Sequence, residues 1–416
     1  MNILFLTLLD FDSLDNRNLY TDLMREFCNN GHNLFLVSPI EEMKKSEEAK
    51  KSEKTKSENA NKYIKYSDNC VILKPVIGKI QKVNLVKKFF TTITLQDKIM
   101  KIIKEYTSDV KFDLVMYSTP PVTFNKVVDY IKTRDSAKSY LLLKDIFPQN
   151  AVDLGIIKTF GVTQIIYKYF RKKEIDLYKV SDYIGCMSEK NVEFVLKHND
   201  IGDKCIEVCP NSIEPAVLDE NIDKIALRKK FDLPDDKFIF VYGGNLGKPQ
   251  GLDFLSECID ANKNNENIFF IIAGSGTEYP KVKKYFDDSN PKNAVLLSFL
   301  PKAEFDDLLK ACDVGLIFLD KRFTIPNFPS RLLSYMEYAM PVIAVTDKNT
   351  DIGDVIVNGE FGFWCESGDI DSFNNITKEI CGHDIIGQMG TKSRKYLEDN
   401  YTAKESYKII IKHFEK

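Results

Sequence analysis

The residues best suited to chemistry are glycines at the ends of apolar runs and one arginine at the start of a helix. Residues 241–255 read VYGGNLGKPQGLDFL. A strand runs into Gly243, Gly244, Gly247 and Gly251, with Asn245, Lys248 and Gln250 between them, and a helix follows. Glycines let the main chain approach an anion closely, and a helix start offers unpaired N–H groups. The spacing is neither GxGxxG nor a Walker loop, because no Lys-Ser/Thr pair follows. A tight strand-to-helix turn accounts for it equally well. A second buried run, FFIIAGSG, ends in Gly274, Ser275 and Gly276. Two Gly-rich strand ends in neighbouring units of one domain would open onto the same edge.

The third segment is FTIPNFPSRLLSYMEYAMPVIAV, residues 323–345. Pro326 and Pro329 stiffen a loop that enters a helix capped by Ser330, with Arg331 in its first turn. A cation there opposes the helix dipole, so an anion nearby would make its position favourable. The guanidinium fork suits phosphate. The alternative is a surface arginine snorkelling or paired to Glu337. Asp145 follows the apolar run YLLLK and stands at a strand's carboxyl end, as a loop cap or as a contact for substrate hydroxyls. Glu207 and Glu360 read as solvated carboxylates.

These segments need a scaffold, and the chain spells one out. Short apolar runs alternate with helical patterns almost throughout, the βαβ signal for parallel sheets. At 416 residues the chain exceeds one hydrophobic core, so two α/β domains are expected. The pattern breaks at residues 211–223, which places a hinge there. The expected division is residues 1–212, residues 213–399, and a C-terminal helix over 400–416 packing back across the hinge. Residues 41–61 carry mixed charge and little to bury, so they read as a mobile loop. The final segment carries Tyr407, Ile410, Ile411 and Phe414 on one face.

Composition excludes several classes. A net charge of −3 supplies no global field for nucleic acid. Nine cysteines without a CxxC pair, and four histidines, read as buried reduced thiols rather than a zinc knuckle. No apolar run reaches the roughly 18–20 residues of a membrane span, and the N-terminus reads as a strand, not a leader. The stretches from Lys82 to Phe90 (KVNLVKKFF) and from Lys158 to Lys179 interleave cations with aromatic and aliphatic residues. They fit an anionic membrane surface or ordinary helices with snorkelling lysines.

The chain resembles the family 4 glycosyltransferases, retaining enzymes of the GT-B fold, over nearly all its length. The resemblance rests on GHNLFLVSP, DIFPQNAVDLG, VCPNSIE, YGGNLGKPQGLDFL, FIIAGSG, FLPKAEFDDLLKACDVGLI and PSRLLSYMEYAMPVIAV. It implies two facing, doubly wound Rossmann-like domains with a deep interdomain cleft. By resemblance, Gly243 to Gly251 and Arg331 would hold a donor's diphosphate, with Asn327 and Ser330 alongside. Gly274 and Gly276, with Phe299, Leu300 and Pro301, would border the base, and Asp145 would face the sugar. The family's Glu-x7-Glu pair falls here at Pro326 and Ser334, and its loop Arg and Lys at Asn245 and Gln250. Ser334 can still bond a ribose hydroxyl. Glu337, three residues on, is the carboxylate that could replace the missing one.

The function expected from this resemblance is cytoplasmic, membrane-peripheral sugar transfer with retention. A nucleotide-diphosphate donor, uridine by family habit, would serve a lipid-linked or growing surface-polysaccharide acceptor such as capsule or O-antigen. The variant PSR-LL-x-YM resembles a polysaccharide-assembly subset. Asp145, Arg331 and Glu337 are the expected catalytic groups. No cofactor and no metal are expected, on the reading that no DxD triplet stands at a plausible strand end and that cationic groups can replace a metal. The alternatives are a nucleotide-sugar 2-epimerase and a catalytically silent nucleotide-sugar-binding subunit.

Overall fold

Runs such as NILFL, LVMYS and KSYLLL are apolar on both faces, so each must be covered by helices on both sides. The computed structural model shows them stacked side by side. It describes residues 1–41, 62–78, 85–161, 163–219, 222–382 and 385–415, with main chain only over 85–92. The charged segment 41–61 lies outside these residues except for Glu41, as do the side chains from Lys82 to Phe90.

Contacts divide the chain into two units, Met1–Glu214 with Ala403–Lys416, and Pro215–Thr402. The first contains β1 (Asn2–Leu6), β2 (Asn33–Val37), β3 (Ile40–Glu41), β4 (Tyr63–Ser67), β5 (Cys70–Leu73), β6 (Val76–Ile77), β7 (Leu114–Ser118), β8 (Lys138–Leu143), β9 (Tyr183–Cys186) and β10 (Cys205–Val208). Its main sheet runs β10-β9-β8-β7-β1-β2-β5-β4, while β3 pairs with β6. Only β4 on β5 is antiparallel, a hairpin added to the parallel strands expected from sequence. The strand order reverses beside β1, so loops after β1 and β7 open at the carboxyl edge.

The second unit contains β11 (Phe238–Asn245), β12 (Ile268–Ser275), β13 (Ala294–Leu297), β14 (Val314–Phe318), β15 (Val342–Thr346) and β16 (Gly362–Glu366). They form a parallel sheet in the order β13-β12-β11-β14-β15-β16. Its reversal lies between β11 and β14, beside the first glycine cluster. Each unit is thus a doubly wound α/β layer.

Local contacts set the ends of two helices. The first helix begins at Leu19, where Asn18 caps it. The Asn18 side chain accepts from the Tyr20 and Thr21 amides, and Thr21 Oγ1 accepts from the Asn18 amide. The last helix ends at Ile411, and Tyr407 meets Phe27 edge-on at 4.8 Å while its hydroxyl lies 3.1 Å from His32 Nε2.

The loop after β1 contains a triplet that corrects the sequence reading. Asp10-Phe11-Asp12 is a DxD pattern just past a strand end. Both carboxylates grip Lys74, whose side chain is 1% exposed. The Lys74 ammonium also donates to Phe11 O at 3.0 Å and Ser38 Oγ at 3.3 Å. A buried lysine therefore fills the cation position between these two acids. Stripping the acids would leave it unpaired: Asp10→Asn with Asp12→Asn should cost about 3 kcal/mol or more of stability. Lys74→Met, which removes the buried charge itself, should cost less. Urea unfolding of both variants checks the ranking, and equal losses would contradict it.

Candidate functional site

The second unit gathers most of the singled-out residues at the carboxyl ends of β11 and β12. Glycine is required there by contact. A Cβ on Gly274 would lie 1.9 Å from Gly244 O, and one on Gly276 would lie 2.3 Å from Leu246 O. Side chains at either position would force the two strand ends apart. Gly243 accommodates the Phe305 ring, which would stand 2.4 Å from an added Cβ. Gly251 adopts φ +56° where the loop turns into the helix Leu252–Ala261.

These ends border a cavity of about 520 Å³ lined by Gly244, Asn245, Gly274, Phe299, Leu300 and Lys302, among others. Phe299 is 68% exposed, presenting a flat apolar face. Lys302 and Phe305 were missed from sequence. They lie in the first turn or so of an ordinary amphipathic helix, Lys302–Ala311, whose pattern carries no sign of a ligand. Pro301 caps that helix from its exposed start.

Arg331 opens a helix of seven residues, Arg331–Glu337, too short for its dipole to dominate. Ser330 precedes it but makes no side-chain cap, contrary to expectation. The helix is anchored through Tyr335 instead. Its ring packs where Gly315 has no Cβ, and its hydroxyl donates toward Leu316 O at 3.0 Å and accepts from the Gly243 amide at 3.2 Å. Burial pushes the Tyr335 hydroxyl up to about 12, so it stays protonated at neutral pH.

That anchor aims Arg331 at the glycine loop. Nη2 donates to Gln250 Oε1 at 2.7 Å and lies 3.5 Å from Asn245 O. The guanidinium sits 4.2 Å above the Tyr242 ring. Burial pushes the Tyr242 hydroxyl up, with the guanidinium opposing that shift. Nη1 is buried with no hydrogen-bond partner, and among the described residues no carboxylate pairs with Arg331. Gln250 and Asn245 thus hold a cation rather than supply one. Lys248 stands exposed at the start of the short turn Lys248–Gln250, and Gly247 is buried before it. Asn327 O accepts from Thr350 Oγ1 at 2.7 Å, and Ser334 is half-buried on the Arg331 helix.

Glu337 takes a different place from the one expected. It is 3% exposed, and its Oε1 accepts the Ala216 amide at 2.8 Å. Six residues after Arg331, it points roughly 240° around the helix, so it neither pairs with Arg331 nor faces the glycine loop. Its geometry is that of a main-chain anchor. Glu337→Ala should cost about 1–3 kcal/mol by stranding a buried amide, whereas Glu337→Gln keeps an acceptor and should cost less. Thermal melting of the two variants distinguishes this from a catalytic carboxylate, which would leave both melts unchanged.

In the first unit, both Asp145 carboxylate oxygens accept from Asn150 Nδ2 at 2.8 Å. Asn150 sits in the following short helix, Gln149–Asp153, so Asp145 braces its own loop. Glu207 is not the solvated residue expected: it accepts from the Tyr140 hydroxyl at 2.9 Å and contacts Lys412 and His413. Glu360 is exposed and paired with Lys392. The described cysteines are all free thiols, and burial pushes Cys70 and Cys186 up to about 12, far from thiolate chemistry.

Known proteins resemble this chain in sequence and in fold. Residues 223–399 match the family of glycosyl transferases group 1. A curated relative, the probable glycosyltransferase WbjE of Pseudomonas aeruginosa, is 25% identical over 297 residues, 70% of this chain and 71% of its own. The putative colanic acid biosynthesis glycosyl transferase WcaI of Escherichia coli K12 is 29% identical over 140 residues, 33% of each chain. Among solved structures, Anabaena HepE in complex with UDP and glucose superposes with a TM-score of 0.65, covering 100% of this chain and 99% of its own at 14% identity. Across residues 223–399 the chain therefore carries a glycosyl transferases group 1 domain, within a GT-B-type fold of two Rossmann-like halves.

Proposed function

We propose that this protein is a retaining glycosyltransferase using a uridine-diphosphate sugar, with a lipid-linked or growing polysaccharide glycan as acceptor. The observation that carries the reading is the Arg331 guanidinium. It is held by Gln250 and Tyr242 at a glycine loop, has one nitrogen without an acceptor, and stands in the unit that holds the apolar cavity at the same strand ends. An anion on that nitrogen and a flat base in the cavity describe a nucleoside diphosphate. The UDP and glucose held by HepE, and the polysaccharide named for WcaI, support the donor and acceptor classes.

In this mechanism the bond from the anomeric carbon to the diphosphate breaks as the acceptor oxygen bonds on the same face. The acceptor's proton passes to the departing diphosphate. Arg331 and the loop N–H groups offset charge developing on that leaving group, without a resident cofactor. No side chain of the described site is placed as a nucleophile.

The acceptor class draws a further argument from the first unit. The helix Gln164–Val180 exposes Ile165, Lys168, Lys172 and Lys179, which fall within about 60° of one another. Just before it, Phe160 is 68% exposed, with Lys158 at 5.7 Å from its ring. Apolar tips beside a lysine stripe suit an anionic leaflet, where lipid-linked glycans are found. Among the described residues no helix is long and apolar enough to cross a membrane.

A panel of labelled nucleotide sugars, with and without membrane extract, tests the reading. Label moving to a lipid or polysaccharide fraction supports it. An isomerised free donor would make the protein an epimerase, and binding without turnover a silent subunit.

A further inference from the structure

Cys205 and Glu207 lie two residues apart on β10, the edge strand, so their side chains share one face of the sheet. The end of the chain folds onto that face. His413 stacks on Tyr183 of the neighbouring strand, with ring centres 4.3 Å apart, and Phe414 meets the same ring edge-on at 5.5 Å. This brings His413 Nε2 to 2.7 Å from Glu207 Oε1 across 206 residues of sequence. One ligand atom from each of Cys205, Glu207 and His413 falls within 4.8 Å of the others.

The surroundings are built to hold that geometry. The Tyr140 hydroxyl donates to Glu207 Oε1 at 2.9 Å, and it reaches there because Gly185 has no Cβ, which would lie 2.7 Å from the hydroxyl. The Glu207 and His413 side chains are 14% and 16% exposed, so neither wanders in water. Sulfur, imidazole and carboxylate form a donor set for zinc, and three protein ligands leave a fourth position for water. Tyr140 supplies the outer hydrogen bond that such carboxylates need.

We propose that Cys205, Glu207 and His413 form a zinc site that fastens the C-terminal segment to the edge of the first sheet. On binding, Cys205 releases its thiol proton to solvent and its sulfur bonds the metal. His413 binds through Nε2 as its Nδ1–H tautomer: the Nε2 proton facing Glu207 passes to solvent, Nδ1 takes one from solvent, and zinc bonds the freed Nε2 lone pair. Lys412, 2.6 Å from Glu207 Oε2 and 54% exposed, turns outward to water.

The test uses the full chain stripped with a chelator and titrated with cobalt(II), a spectroscopic substitute for zinc. The expected result is a near-ultraviolet thiolate-to-cobalt absorption saturating at one metal per chain and bleached by zinc. Cys205→Ser should remove that band, and His413→Gln should weaken binding at least tenfold. The double variant Cys28→Ser with Cys381→Ser, at two other half-buried thiols, should keep it. Zinc should also slow amide exchange over residues 409–415 in the unaltered chain only. Absence of the band in the unaltered chain, or an undiminished band in Cys205→Ser, overturns the site. Should Cys205→Ser fail to fold, His413→Gln reports from the other segment, and unchanged affinity there is equally decisive. Neither outcome bears on nucleotide binding.

Discussion

Arg331→Ala is expected to weaken nucleoside-diphosphate binding by about 1.5–3 kcal/mol, roughly ten- to 150-fold, the range of a charge-assisted hydrogen bond. Transfer should fall further than binding, because charge on the diphosphate grows as the sugar leaves. The folded state should lose little. Arg331 donates only to Gln250 and distantly to Asn245, and its removal strands no carboxylate among the described residues. Arg331→Lys keeps a cation but loses the fork and its stacking on Tyr242, so it should recover only part of the affinity. Calorimetry with UDP, beside melting curves without ligand, reads both quantities. Equal affinity in the alanine variant would remove Arg331 from the donor site.

Gly274→Ala should severely damage the second unit. Gly274 adopts φ +151°, and a Cβ there would stand 1.9 Å from the Gly244 carbonyl oxygen. Main chain cannot yield as a flexible side chain does, so β11 and β12 must separate at their carboxyl ends. The cost should be on the order of 3 kcal/mol or more, with UDP binding lost, since those ends line the cavity. Gly387→Ala provides the contrast. It lies in the helix Ile386–Asn400 with nothing within 4 Å of an added Cβ, and it should be neutral or gain about 0.4–1 kcal/mol. Chemical unfolding and UDP titration of the two variants side by side check the difference. A Gly274→Ala protein that is stable and binds UDP normally would contradict the close-packed strand ends.

What the sequence determined by itself was the periodicity and the glycines. Apolar runs at 2–6, 114–118, 268–275 and 342–346 had to be buried on both faces, and that requirement alone demands parallel sheets covered by helices. The glycine clusters at 243–251 and 274–276 announced close approach of main chain, and close approach is what Gly274 makes to Gly244. Orientation was a different matter. The hairpin of β4 and β5 is mixed in character, and β16 (GFWCE) opens on a glycine and closes on a glutamate, so neither read as a plain apolar run. Helical spacing put Arg331 and Glu337 on one element. Only the Tyr335 anchor decided which face turned to the glycine loop, sending Arg331 there and Glu337 to Ala216. Nothing in the local sequence marked Lys74; its partners Asp10 and Asp12 lie more than 60 residues away. Glu207 looked solvated until His413, 206 residues away, was folded against it. Spacing along a chain fixes neighbours within an element, whereas partners across elements depend on packing directions that no local pattern contains.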